Sequence, residues 1–276
     1  MEGIRRPAVA GTFYPGGTAA LTDMVSDLLA DASASAQAPP QRAAVRPKAI
    51  IVPHAGYIYS GATAARAYAR LAAARQVIRR VVLLGPVHRV AVRGLALPGV
   101  ARFATPLGEV ALDTDAIAAI RDLPQVVESA PAHAHEHALE VQLPFLQSVL
   151  DDFTLVPLAV GDATPQEVAE VLERLWGGPE TLIVISSDLS HFLPYAAAQH
   201  IDRATAQHIL DLNPVITHEQ ACGGTPVNGL LLAARRHGLQ PRLVAQCNSG
   251  DTAGDRQRVV GYASFAFTPE ASDAVA

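Results

Sequence analysis

Four runs of consecutive apolar residues punctuate the chain: Ala49-Ile50-Ile51-Val52, Val81-Val82-Leu83-Leu84, Leu155-Val156-Pro157-Leu158 and Leu182-Ile183-Val184-Ile185. Each is bounded by turn residues and shows no alternation, which predicts strands buried on both faces. Helical periodicity fills most of the intervals, over residues 21–29, 62–74, 137–150, 165–176 and 196–210, with Pro165 suited to a first helical turn. Strand alternating with helix predicts an α/β fold built on a mainly parallel, helix-covered sheet. A late run over residues 259–267 predicts one more strand, pairing with residues 243–246 across a Gly/Asp-rich turn. Residues 32–47, rich in Ala, Ser, Gln and Pro without periodicity, predict an exposed connection. There is no repeat and no second core, so residues 1–276 are expected to form a single domain.

Composition narrows the function classes. Half of the 276 residues are hydrophobic and 17% are charged, which suits a compact globule and not a disordered chain. The formal net charge of −5, with arginines scattered along the chain, gives no basic surface for nucleic acid. No apolar run reaches the roughly 18 residues a membrane span needs, and the first residues lack a signal peptide's apolar stretch; a cytoplasmic protein is expected. Two cysteines, Cys222 and Cys247, make neither a disulfide framework nor a CxxC zinc motif, and buried free thiols are expected for both. No G-x-S-x-G, Walker A, G-x-G-x-x-G or H-E-x-x-H pattern occurs, which removes support for serine hydrolase, nucleotide-binding and zincin chemistry.

The informative polar residues stand where apolar runs end. Residues 49–52 lead into Pro53-His54-Ala55-Gly56-Tyr57, residues 81–84 into Gly85-Pro86-Val87-His88, and residues 182–185 into Ser186-Ser187-Asp188-Leu189-Ser190-His191. Parallel strands share a carboxyl edge, the usual ligand crevice of an open sheet, so three histidine-bearing loops are expected to meet there. Imidazoles with a carboxylate are ligands for Fe, Zn, Cu or Ni, which makes His54 and His88 natural first ligands of a divalent metal. Asp188 is placed to orient His191, which then exchanges a proton as general acid or base, or else it caps a turn. Among His133, His135 and His137 the first two are expected in a solvated loop, while His137 and Glu136 remain site candidates. Asn248-Ser249-Gly250-Asp251 offers either a carboxylate to complete the ligand set or a surface turn. Gly223-Gly224-Thr225-Pro226 predicts a capped helix start with Pro in its first turn, whose free N–H groups either hold an anion or, more commonly, just end a loop.

Together these blocks resemble the MEMO family, named for a mediator of cell motility and known in prokaryotes as the B component of the AmmeMemoRadiSam system. The resemblance covers almost the whole chain. It is carried by residues 5–15 (Arg5 to Pro15), 53–61 (Pro53 to Gly61), 85–88 (Gly85 to His88), 136–145 (Glu136 to Phe145), 186–191 (Ser186 to His191) and 222–226 (Cys222 to Pro226). It implies a fold similar to class III extradiol, LigB-type dioxygenases, which hold Fe(II) with two histidines and a carboxylate. On that resemblance His54 and His88 are metal ligands, His191 is the acid/base with Asp188 beside it, and Tyr57, Glu136 and His137 lie around substrate or behind the ligands. The late ligand of animal members looks like a cysteine; here that position has a Ser-Gly-Asp form, so Asp251 is taken as the third ligand and Cys247 as a bystander. A carboxylate there favours Fe(II), whereas a thiolate would favour a softer ion such as Cu(I), with Zn(II) also possible. The expectation is a metal-dependent, dioxygenase-like or other redox enzyme acting on a small-molecule or peptide ligand; the alternatives are a non-catalytic metal- or peptide-binding protein and a zinc-type hydrolase. The resemblance also implies radical-SAM and AMMECR1-like partner proteins.

Overall fold

The apolar runs all become strands, and strands of uniform burial are expected where helices cover both faces of a sheet. A computed structural model describes residues 2–34 and 46–270. In chain order it contains β1 (Ile4–Arg5), α1 (Thr18–Ala34), β2 (Ala49–Val52), α2 (Tyr57–Tyr68), β3 (Arg80–Pro86), β4 (Leu95–Leu97), β5 (Arg102–Thr105) and β6 (Gly108–Ala111). There follow α3 (Thr114–Ala118), β7 (Val126–Glu128), α4 (Ala130–Ala134), α5 (Leu143–Val149), β8 (Thr154–Val160) and α6 (Pro165–Arg174). The remainder holds β9 (Thr181–Ser186), β10 (His191–Leu193), α7 (Tyr195–Leu210), α8 (Gly224–Arg236), β11 (Leu239–Asn248) and β12 (Val259–Pro269).

Nine strands form the main sheet in the order β10-β12-β2-β9-β3-β8-β4-β7, with β11 paired to β12. Its centre, β2-β9-β3-β8, is parallel throughout, and every residue of β2 and β9 is buried. The expected late strand is β12, and it pairs antiparallel with β11 as well as with β2. The short β4 and β7, and a separate three-stranded sheet of β1, β5 and β6, extend the fold beyond the four predicted runs. Most of the predicted connection over residues 32–47 lies outside the described residues, and α1 runs on to Ala34.

Register places the site. Val52 pairs with Ser186 and Leu84 with Ile185, so β2, β9 and β3 end level, side by side, on one edge. The loops carrying His54, Asp188 to His191, and His88 therefore leave the sheet as immediate neighbours. Behind them α6 starts on a capping box in which Thr164 and Glu167 satisfy each other's backbone N–H. It buries Val168, Ala169, Val171 and Leu172, and Gly229 of α8 lets the two helices approach because a Cβ there would strike Val168. Among the described residues no helix is long and apolar enough to cross a membrane.

Candidate metal centre

Three donors converge beyond the level strand ends: His54, His88 and Cys222, with ligand atoms all within 4.8 Å of one another. The hydrogen bonds around them fix which atoms are free. Ser186 Oγ gives its only proton to Ala138 O at 2.6 Å and takes one from Gln142 Nε2 at 2.8 Å. The contact at 2.9 Å between Ser186 Oγ and His54 Nδ1 must then have the imidazole as donor. His88 Nδ1 donates in the same way to Glu136 Oε1 at 2.9 Å. Both rings therefore carry their proton on Nδ1 and turn a lone pair on Nε2 into the crevice, the tautomer a metal requires, with a hydroxyl behind one ring and a carboxylate behind the other.

Glu136 is a hub for orientation. Its Oε2 accepts His88 N–H at 2.7 Å, and its Oε1 accepts the backbone N–H of His137 and of Ala138 in addition to the His88 ring. With both oxygens occupied, this buried carboxylate is read as the partner of His88 and not as a ligand, although Glu136, His88 and His137 also lie close enough to suggest an ion. Burial opposes its ionisation, but the bond and charge of His88 and the backbone N–H groups prevail and hold it down to about 2. His137 stacks on His88 at 4.8 Å and meets Phe13 at 4.7 Å.

Phe13 is brought there by Glu140, which accepts from Arg5, the N–H of Ala8 and of Val9, and Tyr14 OH. Residues 5–14 are thereby held so that Phe13 lines one side of the crevice. Tyr57, expected around substrate or behind the ligands, is buried: its hydroxyl donates to Val141 O at 2.7 Å and its ring packs on Tyr14 and Phe145. His133, expected in a solvated loop, is buried with Nε2 donating to Ala96 O at 2.7 Å, whereas His135 is exposed.

The third donor differs from the expected one. Asp251 is not among the converging donors: its Oδ1 takes Tyr195 OH and its Oδ2 takes Asn248 N–H at 3.0 Å in a 3-10 turn, so the carboxylate is already satisfied. Cys222 stands in its place. The loop before α8 brings Sγ to 3.3 Å from His54 Nε2, and Gly223 is needed beside it because a Cβ would lie 2.7 Å from Ser187 Cβ and Oγ. The motif was visible in the sequence, but a cysteine ahead of a helix is invisible to a search for side chains at strand ends. Cys247 donates to or accepts from Thr63 Oγ1 at 3.1 Å and takes no part.

Asp188 lies within the site. Oδ1 accepts His54 N–H at 2.7 Å, and Oδ2 is 4.0 Å from His54 Nε2, turned toward the same space. His191, on β10, is partly exposed and within electrostatic reach of both His54 and Asp188. Burial, followed by the charge of His88, holds the His54 imidazole down to about 3, and burial raises the Asp188 carboxyl above its usual range. Burial and then the charge of Asp188 push the Cys222 thiol up to about 12. Without a metal the pair is thus neutral, with Cys222 S–H donating to His54 Nε2. Two imidazole lone pairs and a thiol facing one another fit a borderline or soft transition-metal ion, which would ionise the thiol on binding.

A helix-covered parallel sheet whose central strand ends gather imidazoles and a thiol defines the class: an α/β protein with its reactive groups in the carboxyl-edge crevice. More specifically, the chain belongs to the Memo-like protein family, whose model matches residues 5–266. It is 36% identical to a MEMO1 family protein of Ignicoccus hospitalis over 96% of this chain and 98% of that one. A MEMO1 family protein of Aquifex aeolicus is also 36% identical, over 96% and 99% of the two chains. A crystal structure of the uncharacterized protein JW3007 from Escherichia coli K12 is a remote likeness, with 14% identity and a TM-score of 0.48, covering 80% of this chain and 99% of that one.

Proposed function

We propose that the protein is a metal-dependent redox enzyme in which His54, His88 and Cys222 hold the ion, Asp188 and His191 handle protons, and a small-molecule or peptide ligand enters past His88. The observation that carries this reading is the outward hydrogen bonding of both imidazole N–H groups, which leaves two Nε2 lone pairs and a thiol turned on one another. Three protein donors with an exposed side leave a coordination position open, the arrangement of catalytic and not of structural sites. A thiolate in place of the expected carboxylate moves the preference from Fe(II) toward Cu(I), with Zn(II) compatible.

When bound, the ion would supply Lewis acidity and, if redox-active, electron transfer. The chain's own residues do the rest. Glu136 and Ser186 keep the two rings in register, and Phe13 and His137 shield one side of the crevice from water. His191 gives or takes a proton at its imidazole, with the Asp188 carboxylate stabilising the charged ring.

The test is anaerobic loading of the full chain with Cu(I), Fe(II) or Zn(II), followed by metal quantification and oxygen uptake. We expect stoichiometric Cu(I) that Cys222→Ser reduces by at least roughly tenfold in affinity and Asp251→Ala leaves unchanged. Retention by Cys222→Ser with loss in Asp251→Ala would overturn the ligand set. Binding of Zn(II) alone, with no oxygen uptake for any ion, would overturn the redox reading and leave hydrolysis.

A further inference from the structure

His191 stands on an irregular piece of strand. Phe192 follows it with φ +59°, a left-handed conformation that a bulky residue adopts only where its surroundings impose it. His191 pairs with Val260 and Leu193 with Val259, so Phe192 is the extra residue of a β-bulge, a device that re-aims the neighbouring side chain. The Phe192 ring is exposed, with the His191 ring 5.7 Å away and the Arg258 guanidinium 5.1 Å over its face. The firm anchor of this segment lies on the other side of His191, at Ser190.

Ser190 is fully buried and gripped from two elements. Its carbonyl accepts Gly261 N–H from β12 at 2.8 Å, and Leu189 N–H donates to Gly261 O at 2.8 Å. From α7, the Asp202 carboxylate takes both Ser190 hydrogens, the backbone N–H at 3.0 Å and the hydroxyl. Gly261 makes the approach possible, because a Cβ there would lie 2.0 Å from Asp202 Oδ2. Burial raises the Asp202 carboxyl above its usual range, while Ser190 and the charge of His191 pull against it. The other titratable groups near Asp202 are engaged or turned outward: Asp251 holds Tyr195 and Asn248, Cys247 meets Thr63, and Arg203 is exposed.

We propose that Asp202 is a positioning residue for His191, holding the 189–191 turn through Ser190 and supplying, from α7, a second carboxylate that favours the protonated imidazole. The functional importance of this rests on the reading of His191 as the acid/base. The charges facing His191 are then Asp188 from the loop after β9 and Asp202 from α7, opposed by His54 from the loop after β2 when that ring is protonated. Two carboxylates on separate elements leave His191 a charged partner even when Asp188 is engaged with His54 N–H.

The test is imidazole and carboxyl NMR on the full, metal-free chain across pH, with His191→Gln identifying the His191 signal. Asp202→Asn keeps an acceptor for Ser190 N–H and removes the charge. The His191 ring should then lose its proton at lower pH, with proton affinity reduced about threefold, and keep its contact with the Phe192 ring. By reciprocity, His191→Gln, which changes a partly exposed side chain, should make the Asp202 carboxyl bind its proton more tightly by a similar factor; this arm holds if Asp202→Asn does not fold. Asp202→Ala, which releases Ser190, should also weaken the ring contact. An unmoved His191 titration in folded Asp202→Asn, even with a lowered melting temperature, or an unmoved Asp202 titration in His191→Gln, would overturn the proposal. No metal or turnover enters these readings, so failure of the redox-enzyme reading would leave them intact, and their failure would leave that reading standing.

Discussion

At the residue scale, the centre depends as much on the groups behind the donors as on the donors. Glu136 fixes the His88 ring through Nδ1 and the His88 backbone through N–H. Glu136→Gln removes the charge and one of its acceptor oxygens, so metal affinity should fall by roughly 10- to 100-fold with little change in fold; competition with a chromophoric chelator measures it. The Cys222 thiol, pushed up to about 12, is protonated near neutrality. Metal binding should therefore release one proton and strengthen as pH rises, about tenfold per unit, which calorimetry in buffers of different ionisation enthalpy resolves; no proton release would mean that the thiol is not a ligand. The residues at strand ends were legible because periodicity locates strands and strands locate their carboxyl edge. His54 and His88 follow from that logic. Cys222 does not: it reaches the crevice from a loop whose path is set by tertiary packing against Ser187. Asp251 satisfied chemical expectation alone, and a local capping interaction absorbs it.

Elements whose burial pattern is complete in themselves were readable, and those defined by partners were not. β2, β3, β8 and β9 are apolar on both faces and announce themselves, and β12 was found with its partner. β4 and β7, three residues each, become strands only because β8 offers an edge to β4 and β4 to β7. α4 is a similar case, tied to β4 by His133, whose Nε2 donates to Ala96 O. Burial lowers that imidazole to about 4 from an ordinary 6.5. The sign is that of a histidine buried neutral: its contribution is intact above pH 6.5 and is lost progressively as pH falls toward 4, because only the unfolded state takes up the proton easily. The full loss is roughly 3 kcal/mol. His54 and His137 are displaced in the same direction and add to the wild-type acid sensitivity, so the comparison must be differential. His133→Gln, which keeps a donor for Ala96 O and does not titrate, should flatten the stability profile over that window in urea unfolding at stepped pH. A variant profile parallel to wild type would show that His133 is not the titrating group.

Across the whole molecule, the site and the core are one packed unit on the crevice side and independent elsewhere. Gly85, near the end of β3, leaves little room for a Cβ: Leu139 Cδ2 would lie at 3.0 Å, Ala138 Cβ at 3.2 Å and Ser186 Cβ at 3.3 Å, so the neighbours would have to give by a few tenths of an ångström. Ala138 O anchors Ser186 Oγ, which in turn orients His54, so a displacement there reaches the metal-facing nitrogen through two hydrogen bonds. Gly229, at the contact of α6 with α8, is tighter still, a Cβ there falling 2.3 Å from Val168 Cγ1, but it is linked to none of the three donors by a hydrogen bond. Gly85→Ala should cost about 1–3 kcal/mol through overpacking, and Gly229→Ala at least as much as the upper end of that range. They should separate in metal affinity: Gly85→Ala should lose it by more than its stability loss explains, and Gly229→Ala should retain it once folded. Thermal melts and metal titrations on the same two proteins decide the matter. Equal retention by both variants would mean that the histidine geometry is set within the loops, independently of the sheet beneath them, whereas the expected split would place its control in the packing of β3 and β9 under the crevice.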